Sequence, residues 1–203
     1  MPGSVEDLIR LSLRLPGLME ATSNRFDKVF DEGPGSETQA LQALASTLAG
    51  ELDDWLQAYE EPIVRNRPAP CEFLGSVDAN MLGLYWSVRL LLAESRDRLQ
   101  MMQSVYPSDD VHNQQCYKDE ADMYATLLLG TAITIDNWEG PALSKAFVMR
   151  APLHFARNWW TFSADKERLD VTLRLERRLR AGLPQIDWDT LLYWSFLPML
   201  WLV

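Results

Sequence analysis

The chain has 203 residues, 47% of them hydrophobic and 24% charged, and a formal charge of −10. A chain of that length can bury a core without a disulfide or a metal, and one so acidic is a poor partner for a phosphate backbone. Its two cysteines, Cys71 and Cys116, form no C-x-x-C pair, which excludes a zinc finger or a dithiol redox motif.

Strand signals are scarce, while Leu, Ala, Glu, Arg and Met dominate, so the pattern predicts an all-α chain of six to eight helices. With no repeat and no shift of composition, residues 1–203 read as a single compact multi-helix domain. The N-terminal stretch carries two acidic residues and two arginines within its apolar run, which is not the pattern of a signal peptide. Ser4 with Asp7 gives a capping-box-like start to a first helix that stops near Leu15, ahead of Pro16. A second helix runs from Pro16 to about Phe30, and the stretch from Asp31 to Ser36 breaks it. Ser36 with Gln39 opens a third helix with an apolar stripe at Leu41, Leu44, Leu48, Leu52, Trp55, Leu56 and Tyr59. Three prolines in residues 62–72 predict an extended connection.

The longest helix is expected from about Asp78 to Gln103, with Tyr85, Val88 and Leu92 in its buried stripe. The polar stretch from Tyr106 to Gln115 reads as a disordered loop, since it offers little to bury. A helix follows from about Gln115 to Ile135, broken at Asn137 to Pro141. Another spans Ser144 to Trp160 with a kink at Pro152, and one more runs from Ser163 or Ala164 to Ala181, closed by Gly182. Asp187 caps a final apolar stretch, too short and too interrupted by Pro198 to cross a membrane. Its Trp188, Leu192 and residues 194–203 are expected to pack on this chain or on a partner subunit.

Chemistry is harder to find. His112 sits in the expected polar loop. His154 lies in RAPLHFARNWW, where it is a satisfied core or pocket imidazole or a general base. Arg150, His154 and Arg157 are spaced four and three apart and share one helical face. With Phe155, Trp159 and Trp160 beside them, they would suit an apolar ligand and stabilise a developing carboxylate or enolate. The plain alternative is that both arginines pair with acids of neighbouring helices. The stretch Asp119-Glu120-Ala121-Asp122-Met123 comes closest to a magnesium motif, but a first helical turn favours acids anyway. No metal and no cofactor is expected. The arginines at 174, 177, 178 and 180, with Glu176 interleaved, read as a solvated helix face.

Four stretches taken in order, LRLPGLMEATSNRFD, LASTLAGELDDWLQAYEEP, LYWSVRLLLAESRDRL and GPALSKAFVMRAPLHFARNWW, resemble the C-terminal regions of fungal-specific transcription factors of the zinc binuclear cluster class. The likeness covers about residues 8–182. It implies an all-α fold and a fungal origin. The six-cysteine DNA-binding module of that family has no counterpart here, so the resemblance implies neither DNA binding nor any catalytic residue. The resulting expectation is a stand-alone intracellular regulator, in cytoplasm or nucleus, that binds a small effector or a partner protein. The alternative is a cofactor-free cyclase or isomerase of a natural-product pathway. It would act on an apolar small molecule with His154, Arg157 and Arg150, in a pocket walled by Phe155, Trp159 and Trp160. Neither reading involves nucleic acid or a membrane, and both leave homo-oligomerisation open.

Overall fold

The computed structural model describes residues 3–32, 35–64, 76–104, 111–185 and 187. Among these there are seven helices and no strand: α1 (Val5–Ser12), α2 (Leu15–Glu32), α3 (Ser36–Val64), α4 (Ser76–Ser104), α5 (Val111–Asp136), α6 (Ala142–Phe162) and α7 (Lys166–Gly182). The all-α expectation holds. No described helix is long and apolar enough to cross a membrane. The apolar stretch 188–203 and both cysteine side chains lie outside the described residues.

By their contacts the residues fall into two compact units, Met1–Arg65 with Val88–Asp122 and Asn66–Ser87 with Met123–Val203. Helices α4 and α5 each contribute to both.

In the first unit, α1 and α2 pack on α3. The Ser4 Oγ accepts the Asp7 amide at 3.1 Å and donates to Asp7 Oδ2 at 2.9 Å, the capping arrangement its sequence predicts. The Trp55 indole donates to the Ser4 carbonyl at 2.7 Å, which holds that cap against α3. The buried stripe of α3 is Leu41, Ala45, Leu48, Leu52 and Trp55. Leu44, expected inside, is 42% exposed. The stripe steps from Leu41 to Ala45 and then to Leu48, which leaves Leu44 on its outer flank. Helix α3 also continues through Pro62 to Val64, where an extended connection was expected.

The same unit contains an ion network that sequence reading did not anticipate. Arg89 is buried on α4. Its guanidinium donates to the Ala49 carbonyl at 3.2 Å, pairs with Asp53 of α3, and donates to Glu120 of α5 at 2.7 Å. Arg96 donates to the other Glu120 oxygen at 3.2 Å and lies over the Tyr117 ring. The guanidinium fork suits such a junction, because several donors in one plane can serve two neighbouring helices at once.

In the second unit, α6 packs along α7, and Leu129, Ile135, Met149, Leu153, Leu175 and Leu179 form the centre of its core. Helix α6 runs unbroken through the buried Pro152. Gly83 of α4 faces that proline: a Cβ added there would meet Pro152 Cγ at 3.3 Å. Tyr85 and Tyr124 meet edge to face at 6.5 Å between centroids. Tyr85, Val88 and Leu92 are all buried, as their spacing predicts.

Among the helix starts that differ from expectation are those of α5 and α7. Helix α5 begins at Val111, within the stretch read as a polar loop, so His112 stands on a helix. Helix α7 begins at Lys166, not at Ser163 or Ala164. Ala164 adopts φ +59°, and the Asp165 amide donates to the Trp160 carbonyl at 3.1 Å. This is a left-handed helix stop of the Schellman type, built on alanine in place of the usual glycine. Asp165 then caps α7 by accepting the Arg168 amide at 3.0 Å.

Candidate functional site

The residues proposed for chemistry lie on α6, in the second unit. Arg150, His154 and Arg157 share one face, and Arg157 Nη2 lies 3.5 Å from His154 Nδ1. The other ring nitrogen of His154 lies 3.1 Å from Asn158 Nδ2. An amide nitrogen can only donate, so Nε2 accepts there, and its lone pair is engaged by a neighbour on the same helix. His154 is half-buried, with Phe155 edge-on at 5.4 Å.

Glu176 of α7 decides what the arginines do. This carboxylate is buried. Its Oε1 accepts from Arg150 Nη1 at 3.4 Å and from Arg157 Nη1 at 3.3 Å, and its Oε2 accepts from Arg157 Nη1 at 3.1 Å. Arg150 is 1% exposed and Arg157 is half-buried. A buried cation is tolerable where a carboxylate compensates it. Both arginines thus take the pairing alternative, on one shared acid.

Trp159 and Trp160, expected to wall a pocket, are both buried. Trp160 carries the Arg168 guanidinium over its ring at 4.8 Å, and its indole N–H has no hydrogen-bond partner among the described residues. Trp159 packs against the exposed Phe162 at 5.6 Å. The structure therefore brings Arg150, His154 and Arg157 together as their spacing predicts, with the two tryptophans built into the interior.

Glu176 is the residue that sequence reading missed as a partner. It sits among surface arginines in sequence: Arg174, Arg177, Arg178 and Arg180 are all exposed. Its register gave a usable signal, since it lies four residues after Thr172 and three before Leu179, on the stripe that α7 buries.

A separate open groove of about 700 Å³ lies in the first unit, beside α1. Asp7, Arg10, Arg14, Glu51, Asp54 and Trp55 contribute to its lining. Arg10 pairs with Asp7 one turn away on α1 at 3.0 Å, and Arg14 pairs with Glu51 of α3. Its volume lies within the usual range of small-molecule sites, and its lining mixes charged side chains with Leu11 and Trp55. The acidic stretch at 119–122 is occupied in another way, because Glu120 serves Arg89 and Arg96.

No family model, no curated protein and no solved structure matches this chain.

Proposed function

We propose that the chain is a non-enzymatic helical regulator that does not bind DNA and acts by binding a small effector or a partner protein. The observation that carries this reading is the shared salt bridge on α6. Glu176 neutralises the cations that an enzyme of this kind would need for a developing oxyanion. The lone pair of His154 Nε2 is likewise engaged by Asn158. A constellation that binds its own helices is scaffolding. The resemblance to the regulatory region of fungal transcription factors supports the same reading, as does the formal charge of −10, which disfavours phosphate contacts. The groove beside α1 has the volume of a small-molecule site.

The test is to fuse the whole chain to a heterologous DNA-binding module upstream of a reporter. Reporter output should change several-fold, and His154→Gln should behave as the wild-type fusion does. An unchanged reporter refutes the proposal. So does a His154→Gln fusion that loses the effect while its melting temperature stays fixed, because an imidazole in a structural role is not needed for its basicity.

A further inference from the structure

The formal charge of the chain is not spread evenly along it. The first unit holds 19 acidic residues against 9 Lys and Arg, a net of −10, while the second holds 10 of each and is neutral. The groove beside α1 belongs to the charged unit. Its apolar part is preformed. Leu11 and Trp55 are buried in that lining. The Trp55 ring is held twice, by its N–H to the Ser4 carbonyl at 2.7 Å and by a stack on Tyr59 at 4.9 Å between centroids. Gly3, also in the lining, adopts φ +81°, and a Cβ there would meet the Tyr59 amide nitrogen at 2.7 Å. The chain ahead of α1 therefore lies directly against the α3 backbone, an approach that glycine permits. A groove with walls fixed in this way can take a ligand with little ordering cost.

The charges of the lining do not cancel. Arg10 is taken by Asp7 and Arg14 by Glu51. Asp54, in the same lining, has no ion pair or hydrogen bond among the described residues. It shares a concave surface with Leu11 and Trp55, and walls of low polarity concentrate the field of a charge placed between them. An anion entering the groove would meet three carboxylates and two guanidiniums that are already paired, in a unit of net charge −10. A cation would meet one uncompensated carboxylate and a favourable field. We infer that the groove binds a small organic cation, an amine or a guanidine carried on a hydrocarbon or aromatic body. The charged group donates to Asp54 in a charge-assisted hydrogen bond, and the body lies along the part of the lining that Leu11 and Trp55 supply. This deepens the effector reading, from which it takes the premise that the chain binds a small molecule.

The experiment is proton–nitrogen correlation NMR on the full 203-residue chain. The probes are phenethylammonium and benzamidinium, at up to about 10 mM. Each is matched by a neutral and an anionic counterpart: phenylethanol and phenylpropionate for the first, benzamide and benzoate for the second. At least one cation should shift the signals of Asp7, Arg14, Glu51 and Trp55 saturably, and its counterparts should not. Asp54→Asn should weaken that binding by about fivefold or more, through the loss of one charged contact. Asp27→Asn removes the same charge from α2, outside the lining, and should change binding by less than about twofold. Both positions are exposed, so both variants should keep the fold. The absence of a saturable shift with either cation overturns the inference, and so does equal binding of a neutral or anionic counterpart. Equal losses in the two variants also overturn it, and assign the attraction to the overall charge of the unit. If neither cation binds while the reporter fusion still regulates, the ligand class falls and the regulator reading stands. If a cation binds at Asp54 and the reporter is unchanged, the site stands and the regulator reading falls.

Discussion

Replacing Glu176 with Gln keeps the size of the side chain and removes its charge. The consequence can be sized from the geometry. At 3.4 Å from Arg150 Nη1, and with the effective dielectric of about 20 that suits protein sites, the attraction is about 5 kcal/mol before desolvation. Removing one member of a buried pair typically costs about 3–5 kcal/mol, because the remaining charge stays in a poor solvent. Arg150 is 1% exposed, so water cannot take over the role of Glu176. For a chain near 200 residues each kcal/mol moves the midpoint by about 2–4 °C, so Glu176→Gln should lower the melting temperature by roughly 10 °C. Arg157→Gln should cost about 1 kcal/mol or less, because Arg157 reaches solvent and Glu176 keeps Arg150. The double variant Arg150→Met with Glu176→Leu should recover most of the loss, since an apolar pair needs no desolvation. Thermal unfolding followed by far-UV circular dichroism measures all three. A Glu176→Gln variant as stable as wild type would refute the reasoning, as would an Arg157→Gln variant that loses more than Glu176→Gln.

Ala164→Gly should stabilise the chain by about 0.5–1 kcal/mol, because glycine accepts φ +59° without a Cβ clash; a urea titration that shows destabilisation would contradict the backbone argument. Leu48→Ala should cost about 2–5 kcal/mol, whereas Leu44→Ala should stay within about 0.5 kcal/mol, since Leu48 is buried and Leu44 is not; equal losses would show that α3 is rotated from the register described. Burial raises the Glu94 carboxyl above its ordinary value of 4.5, with Arg98 opposing and Asp97 adding to the shift; burial moves Asp97 the same way against Lys118 and Arg98. A raised carboxyl binds its proton more tightly in the folded state, so its contribution is present below pH 4.5 and lost as pH rises through the folded value. Glu94→Gln should therefore match wild type in acid and exceed it at neutral pH, and urea midpoints that rank in the opposite order would overturn the assignment.

Local chemistry made most of the fold legible. The Ser4 cap, the break after Ile135 and the burial of Tyr85, Val88 and Leu92 each depend on a few residues close together in sequence, where propensity and spacing decide. The misreadings have equally local causes. Leu44 falls in the α3 stripe on sequence because the buried position beside it is Ala45, whose small side chain gives a weak signal. Residues 111–115 looked like a loop because they are polar, but a polar helical turn is stable when it extends a helix already formed. Residues 62–64 stay helical although Pro62 precedes a proline-rich stretch, since Pro62 removes one donor and the preceding turns of α3 still guide the chain. Ala164 gave no sign of a left-handed stop, because only glycine advertises that conformation in sequence.

The candidate site depends on long-range pairing, which spacing does not encode. Arg150, His154 and Arg157 could be placed on one face of α6 from their intervals alone, yet the same face serves equally to bind an anion or to bind another helix. What separates the two outcomes is one carboxylate on α7, and it lies in a run that carries four exposed arginines. Sequence composition groups Glu176 with them, although Thr172, Leu175 and Leu179 mark its side of α7 as buried. An acid on a buried stripe carries a cost that a cation elsewhere in the chain must offset, and α6 holds two arginines one turn either side of a histidine. The register of Glu176 and the spacing of the arginines thus explain each other. Taken together they form an ion-paired joint between α6 and α7.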